Sequence, residues 1–291
     1  MYSEQVFPFR QSRQSGNSHP AHAMKISRVA CCRLLIATNA FWIWVIYVHL
    51  FKSVGGESNA AKTRSRYTTF ARSNSSFHEI ASHYGTDKVN PHHYHWAYDK
   101  YLTPIRHSRV KFLEIGLGCD MAYGAGRSAQ VWKTFFSSPQ TEIWQADVDS
   151  GCVQKWSNML GDRVLVGDQG NLTTLKKWVS DTGGNFDIVI DDGGHSFVQQ
   201  LNSFLYLFQN AVRPGGMYFI EDLVSSRPEL RSYFADGPKS TVTKILKWQE
   251  TLMLEDLPAT GKFDIQGLQS IECFRGMCAF FKCSLDQYDC P

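Results

Sequence analysis

Beyond residue 109, short apolar runs alternate with stretches whose apolar residues recur at helical spacing. Residues 110–115 (VKFLEI), 142–147 (EIWQAD), 163–166, 186–190 (FDIVI) and 216–220 (GMYFI) read as strands. Residues 128–136, 153–160, 172–180 and 197–212 carry the helical pattern between them. Strand and helix in strict alternation predict an α/β domain: a Rossmann-like parallel sheet with helices on both faces. Such sheets bind ligands at the carboxyl ends of their strands, where the chain turns into the next helix. The candidate chemistry below falls at those ends.

The pattern changes upstream. Residues 1–33 are rich in Ser, Gln, Arg and His without an apolar period and read as a disordered tail. Residues 34–51 (LLIATNAFWIWVIYVHLF) then run eighteen positions without a formal charge, the lower length for a membrane-spanning helix. Polar flanks offer no core to bury that run, so a single transmembrane anchor is expected, with a cleaved signal peptide as the alternative. Residues 52–76 read as a stalk, and 77–291 as the globular domain. Basic residues on the two sides of the span nearly cancel: Lys25, Arg28 and Arg33 before it, Lys52, Lys62, Arg64 and Arg66 after it. Orientation therefore rests on Cys273, Cys278, Cys283 and Cys290, whose spacing suits disulfides better than zinc. Disulfides favour an endoplasmic reticulum or Golgi membrane protein with a luminal domain. Two sequons, at Asn74 and Asn171, are compatible with that placement.

Composition narrows the class only a little. Hydrophobic residues make up 43% and charged residues 20% of 291, which excludes wholesale disorder and fibrous repeats. Thirty basic against twenty-seven acidic side chains leave +3, too even for a dedicated nucleic-acid binder.

The first strand ends Glu114-Ile115-Gly116-Leu117-Gly118, where glycines let the backbone approach a ligand and the acid suits a cationic amino group. At the second strand's end, Asp147 stands thirty-one residues past Gly116 and can accept hydrogen bonds from ribose hydroxyls. Asp168 and Gln169, after the third strand, could read an adenine edge or cap the helix beginning near Leu172. Strand four ends Asp191-Asp192-Gly193-Gly194-His195 and strand five ends Glu221-Asp222. Four carboxylates and an imidazole at adjacent strand ends imply a neutralising cation, with Mg²⁺ the simplest. His195 could then take a proton from a substrate hydroxyl. The histidines His92, His93 and His95 point around a helix axis and cannot converge on one ion.

These residues together resemble the class I S-adenosylmethionine-dependent methyltransferases. Within that class they look like the metal-dependent O-methyltransferases of macrolide sugars, of mycinamicin and macrocin type, and like a fungal group labelled hard-surface-induced proteins. The likeness covers about residues 77–223: the Tyr84-Gly85-Thr86-Asp87-Lys88 run, the His92, Tyr94 and Tyr98 helix, the loop from Leu113 to Gly124, Gly167-Asp168-Gln169, residues 190–195, Pro214-Gly215-Gly216 and Glu221-Asp222-Leu223. It implies that Gly116, Ser128, Asp147 and Asp191 line an S-adenosylmethionine site, with Thr86 reaching in from N-terminal helices. It implies Asp192, Glu221 and Asp222 as metal ligands and His195 as general base. Cys119-Asp120-Met121 departs from the bacterial glycine loop. The segment after Leu223 matches poorly, and part of the acceptor pocket is expected there.

The expected partner is a glycan or small-molecule acceptor, with no nucleic acid and with a membrane at the N-terminal helix. Two rivals stand beside this reading. Asp147-Val148-Asp149 is a D-x-D of the kind a membrane-anchored glycosyltransferase uses. The other is a methyltransferase-like domain that has lost activity and only binds.

Overall fold

The computed structural model describes residues 75–231, 233–234, 238–254 and 265–284. All lie in the unit that spans Lys62–Pro291. The tail, the apolar run 34–51 and the stalk up to residue 74 fall outside the described residues. Among the described residues no helix is long and apolar enough to cross a membrane.

Seven strands form one sheet: β1 (Lys111–Ile115), β2 (Glu142–Asp147), β3 (Val164–Val166), β4 (Phe186–Asp191), β5 (Val212–Ile220), β6 (Leu268–Phe274) and β7 (Met277–Lys282). Their spatial order is β3-β2-β1-β4-β5-β7-β6. The five expected strands pair in parallel. The all-parallel expectation needs correction at one edge, because β7 runs antiparallel to β5 and β6 antiparallel to β7. The cause is local. Only Arg275 and Gly276 separate β6 from β7, and Gly276 has φ 75°. A two-residue connection of that kind can only close an antiparallel hairpin.

Alternation along the strands sorts the core into two layers. Leu113, Ile115, Val189, Tyr218 and Ile220 face one side. There they meet α5 (Leu172–Thr182), α6 (Phe197–Asn210) and α8 (Thr241–Leu254). Phe112, Ile188, Ile190 and Phe219 face the other. They meet α1 (Phe77–Tyr84), α2 (His95–Tyr101) and α3 (Arg127–Phe135). In α6, Gln200, Ser203, Phe204, Leu207 and Phe208 are the buried positions, one stripe at i, i+3, i+4, i+7 and i+8. Among the described residues the remaining α-helices are α4 (Ser150–Leu160), which follows β2, and the short α7 (Pro228–Arg231).

Caps place the helix starts at the strand ends. Ser76 and Glu79 form a capping box that opens α1, and Gly85 in the left-handed region closes it. Asp149, Asn171 and Ser196 cap α4, α5 and α6 through their side chains. The chain therefore leaves β2, β3 and β4 and enters the next helix within a few residues, while a longer loop, residues 116–126, joins β1 to α3, and these loops collect at the carboxyl ends of the strands.

Candidate active site

The loop after β1 approaches the loop after β4 backbone to backbone. Gly116 N donates to Ala146 O, and Asp192 N donates to Ile115 O. A Cβ on Gly116 would lie 2.0 Å from Asp192 O, and its φ is +101°. No other residue fits that position. The loop is fastened twice more. Asp147 Oδ2 accepts from Leu117 N and its Oδ1 from Asp149 N, both at 2.9 Å. A disulfide joins Cys119 in the loop to Cys152 in the first turn of α4. The departure from the bacterial loop at Cys119 is thus a covalent clip between two walls of the cleft.

Between these loops lies a cleft of about 640 Å³. Thr86, Gly116, Ser128, Asp147, Asp168, Gln169, Asp192, His195 and Asp222 all line it. Asp87, Asp120 and Asp149 add to its acids, and among the described residues Arg127 is the one Lys or Arg that lines it. That guanidinium is spent on the carbonyls of Tyr123 and Tyr84. The cleft is therefore suited to a cationic ligand.

Three residues of the expected site lie elsewhere, and strand parity explains each. Asp191 continues the face of Val189, where its carboxylate accepts from Gln169 Nε2 (2.7 Å), Ser203 Oγ (2.5 Å) and Tyr218 OH (2.9 Å). It is 1% exposed and does not line the cleft. Burial holds its carboxyl above the ordinary range, against the pull of those three donors. Gln169 is consumed in the same network, because its Oε1 accepts from Gly194 N at 2.7 Å. Asp168 Oδ1 accepts from Gly170 N at 2.8 Å, a turn-closing role.

Glu114 and Glu221 lie on the opposite face with the inner end of Asp192. Between them sits Lys88, 1% exposed. Its ammonium lies 2.6 Å from Asp192 Oδ2, 2.8 Å from Glu221 Oε2 and 3.4 Å from Glu114 Oε1. Burial alone would lower the amine's pKa, but the charges of Asp192, Glu221 and Glu114 outweigh it and hold the pKa well above its ordinary value. Burial and the Asp192 charge push Glu221 upward, opposed by Lys88. Tyr98 OH also donates to Glu221, and Ser128 Oγ donates to Glu114 at 2.8 Å. The cation that the acid cluster demands is thus partly supplied by the chain itself. Lys88 stood in the Tyr84–Lys88 run, yet nothing in the sequence showed that its amine would reach three strand ends.

What remains open to the cleft is a trio. One ligand atom each from Asp192, His195 and Asp222 lies within 4.8 Å of the others, and the two carboxylates are the oxygen donors that a hard divalent ion takes. His195 Nε2 stands 3.3 Å from Asp222 Oδ2. Asp222 has φ 52°, an uncommon conformation for a residue with a side chain. Tyr94 holds it there by a reciprocal pair: its OH donates to Asp222 Oδ1 at 2.6 Å and accepts from Asp222 N at 3.0 Å. Burial, with the charges of Glu221 and Asp222, raises the Tyr94 pKa, so the phenol stays a donor. The helix expected to splay the three histidines holds only His95: His92 and His93 precede α2, and the His93 and His95 rings lie 6.0 Å apart. His93 stacks on Trp96, His95 meets His78 edge-on, and His92 stacks on Tyr94.

A seven-stranded sheet with this order, and a glycine loop facing an acid at the end of β2, make up the class I S-adenosylmethionine methyltransferase fold. Comparison with known proteins then narrows the likeness to the sugar O-methyltransferases of macrolide and polyketide biosynthesis. The chain is 38% identical over 151 residues to the mycinamicin VI 2''-O-methyltransferase of Micromonospora griseorubida, 50% of this chain and 35% of the relative. It is 37% identical over 150 residues to the demethylmacrocin O-methyltransferase of Streptomyces fradiae, again 50% and 35%. A rhamnosyl-tetracenomycin 2'-O-methyltransferase of Streptomyces olivaceus is 31% identical over 166 residues, 56% and 42%. The aligned part thus spans less than half the length of these relatives. Among solved structures, the mycinamycin-pathway methyltransferase MycE, in complex with Mg, SAH and mycinamycin VI, superposes with a TM-score of 0.60 at 28% identity. That match covers 76% of this chain and 58% of MycE. No family model matches the sequence.

Proposed function

We propose that this chain is an S-adenosylmethionine-dependent, Mg²⁺-assisted O-methyltransferase acting on a hydroxyl of a sugar, glycan or small secondary metabolite. The observation that carries the proposal is the Asp192, His195 and Asp222 trio at the lip of the acidic, glycine-walled cleft. The relatives support it, since their names specify O-methyl transfer to sugar-bearing polyketides and MycE was solved with Mg and SAH.

S-adenosylmethionine would lie along the glycine loop, supplying an electrophilic methyl, with Asp147 at its ribose and the cleft's acids facing its positive charge. Asp192 and Asp222 would hold the divalent ion, which lowers the pKa of an acceptor hydroxyl. Glu221 and Glu114, tied to Lys88, would set the position of Asp192 from behind. His195 Nε2 would take the hydroxyl proton, and the Asp222 carboxylate beside it would stabilise the imidazolium that forms. Tyr94 would keep Asp222 in place through the cycle. Much of the rate would come from holding acceptor oxygen and methyl in line.

The glycosyltransferase reading loses ground on two contacts. Asp149 is used as the cap of α4, accepting from Gly151 N and Cys152 N. We further propose that the domain faces the secretory lumen, anchored by residues 34–51. Two disulfides, Cys119–Cys152 and Cys273–Cys278, support an oxidising compartment. Calorimetry with S-adenosylmethionine, followed by a labelled-methyl screen of glycan and phenol acceptors with and without Mg²⁺, tests the activity. No heat from S-adenosylmethionine would refute it.

A further inference from the structure

A second cavity, of about 720 Å³, lies against the Tyr94–Asp222 pair. Its lining includes Val242, Ile245 and Leu246 of α8, with Leu223 and Val224 after β5 and Phe274 and Met277 of the β6–β7 hairpin. Three arginines also line it: Arg227, Arg231 and Arg275. No Asp or Glu does, among the described residues.

The contrast with the cleft next door is sharp, since that cleft is walled by acids. The two cavities nearly meet. His92 and Tyr94 line the groove and Asp222 lines the cleft, with 3.6 Å between His92 Nδ1 and Asp222 Oδ1. Among the described residues the arginines have no acidic partner. Arg231 donates from Nη1 to Pro238 O, while its Nε is buried without a partner. An apolar floor rimmed by guanidinium groups that pair with no described acid suits a ligand that is apolar in body and anionic at one point.

We propose that this groove holds the body of the acceptor, and that the acceptor is a hydroxylated apolar molecule bearing a carboxylate. The hydroxyl sits at Asp222 and His195, the apolar part lies on Ile245 and Leu246, and the carboxylate pairs with Arg227 and Arg275. The proposal rests on the methyltransferase reading of the neighbouring cleft. It divides the labour between two oppositely charged compartments, so that a cationic methyl donor and an anionic acceptor do not compete for one site.

The test uses two probes of equal length, 10-hydroxydecanoate and 1,10-decanediol, titrated into the full-length protein in a calorimeter. The hydroxy acid is expected to bind about five- to tenfold more tightly than the diol, the scale of two charge-assisted contacts to exposed arginines. Arg227→Gln combined with Arg275→Gln should abolish that difference, and Leu246→Glu should weaken both probes. S-adenosylmethionine, titrated into the same samples, should bind wild type and the arginine double variant alike. Equal binding of acid and diol to wild type, or an unchanged preference in the double variant, overturns the proposal. Silence toward S-adenosylmethionine with the acid preference intact would instead overturn the methyltransferase reading, and the acceptor role with it, while the groove's ligand class stands.

Discussion

Replacing Lys88 by Met removes the ammonium with its charge and donors and keeps an unbranched side chain one atom shorter. The ammonium holds Asp192 at 2.6 Å, Glu221 at 2.8 Å and Glu114 at 3.4 Å. Lys88, Glu114 and Glu221 are each 1% exposed or less, so water cannot replace the lost contacts. Deleting one partner of a buried ion pair costs about 3–5 kcal/mol, because the other charge stays buried and unpaired. Two such charges remain here, but each can take up a proton, which caps the penalty near that range. Urea unfolding followed by tryptophan fluorescence measures it. Lys88→Met should lose about 3–5 kcal/mol, and adding Glu221→Gln should return part of the loss rather than add to it, as expected of residues in one network. A loss under about 0.5 kcal/mol, the scale of an ordinary surface substitution, would refute the claim that Lys88 is the cluster's internal counter-ion.

Asp147→Ala should weaken S-adenosylmethionine binding by about tenfold to a few hundredfold, since it removes up to two charged hydrogen bonds of roughly 1–2 kcal/mol each; calorimetry reads this. Cys152→Ser should also weaken binding, by severalfold, because the glycine loop loses its clip to α4; mild reduction of wild type should reproduce the effect. His195→Ala should lower kcat by about 10²- to 10⁴-fold, the usual worth of a general base, with S-adenosylmethionine affinity nearly unchanged.

Much of this fold was legible because strand and helix periods differ. Residues 142–147 appear as β2 with the same bounds, and the helical pattern at 197–212 marked α6, which ends at Asn210 because Val212 already opens β5. The edge hairpin was not legible, since β6 (LQSIECF) mixes polar and apolar residues at an exposed edge without clean alternation. The sequence also brought Asp191, Asp192, Glu221 and Asp222 to adjacent strand ends correctly. What it did not resolve was their facing. Consecutive residues on a strand point to opposite sides, so Asp191 went to Ser203 and Tyr218 while Asp192 went to Lys88. Lys88 itself was hidden, because its role depends on where a loop between two N-terminal helices packs, a contact 104 residues away in sequence from Asp192.

The central claim is that a divalent ion at Asp192 and Asp222 works with His195 to make an acceptor hydroxyl a nucleophile for methyl transfer. Its most direct test is labelled-methyl transfer by the full-length protein with Mg²⁺, with EDTA, and with Mg²⁺ in the Asp192→Asn variant. Turnover should require Mg²⁺, vanish in EDTA, return on adding Mg²⁺ back, and stay absent in the variant. Turnover at full rate in EDTA would contradict the account and leave His195 to activate the hydroxyl alone.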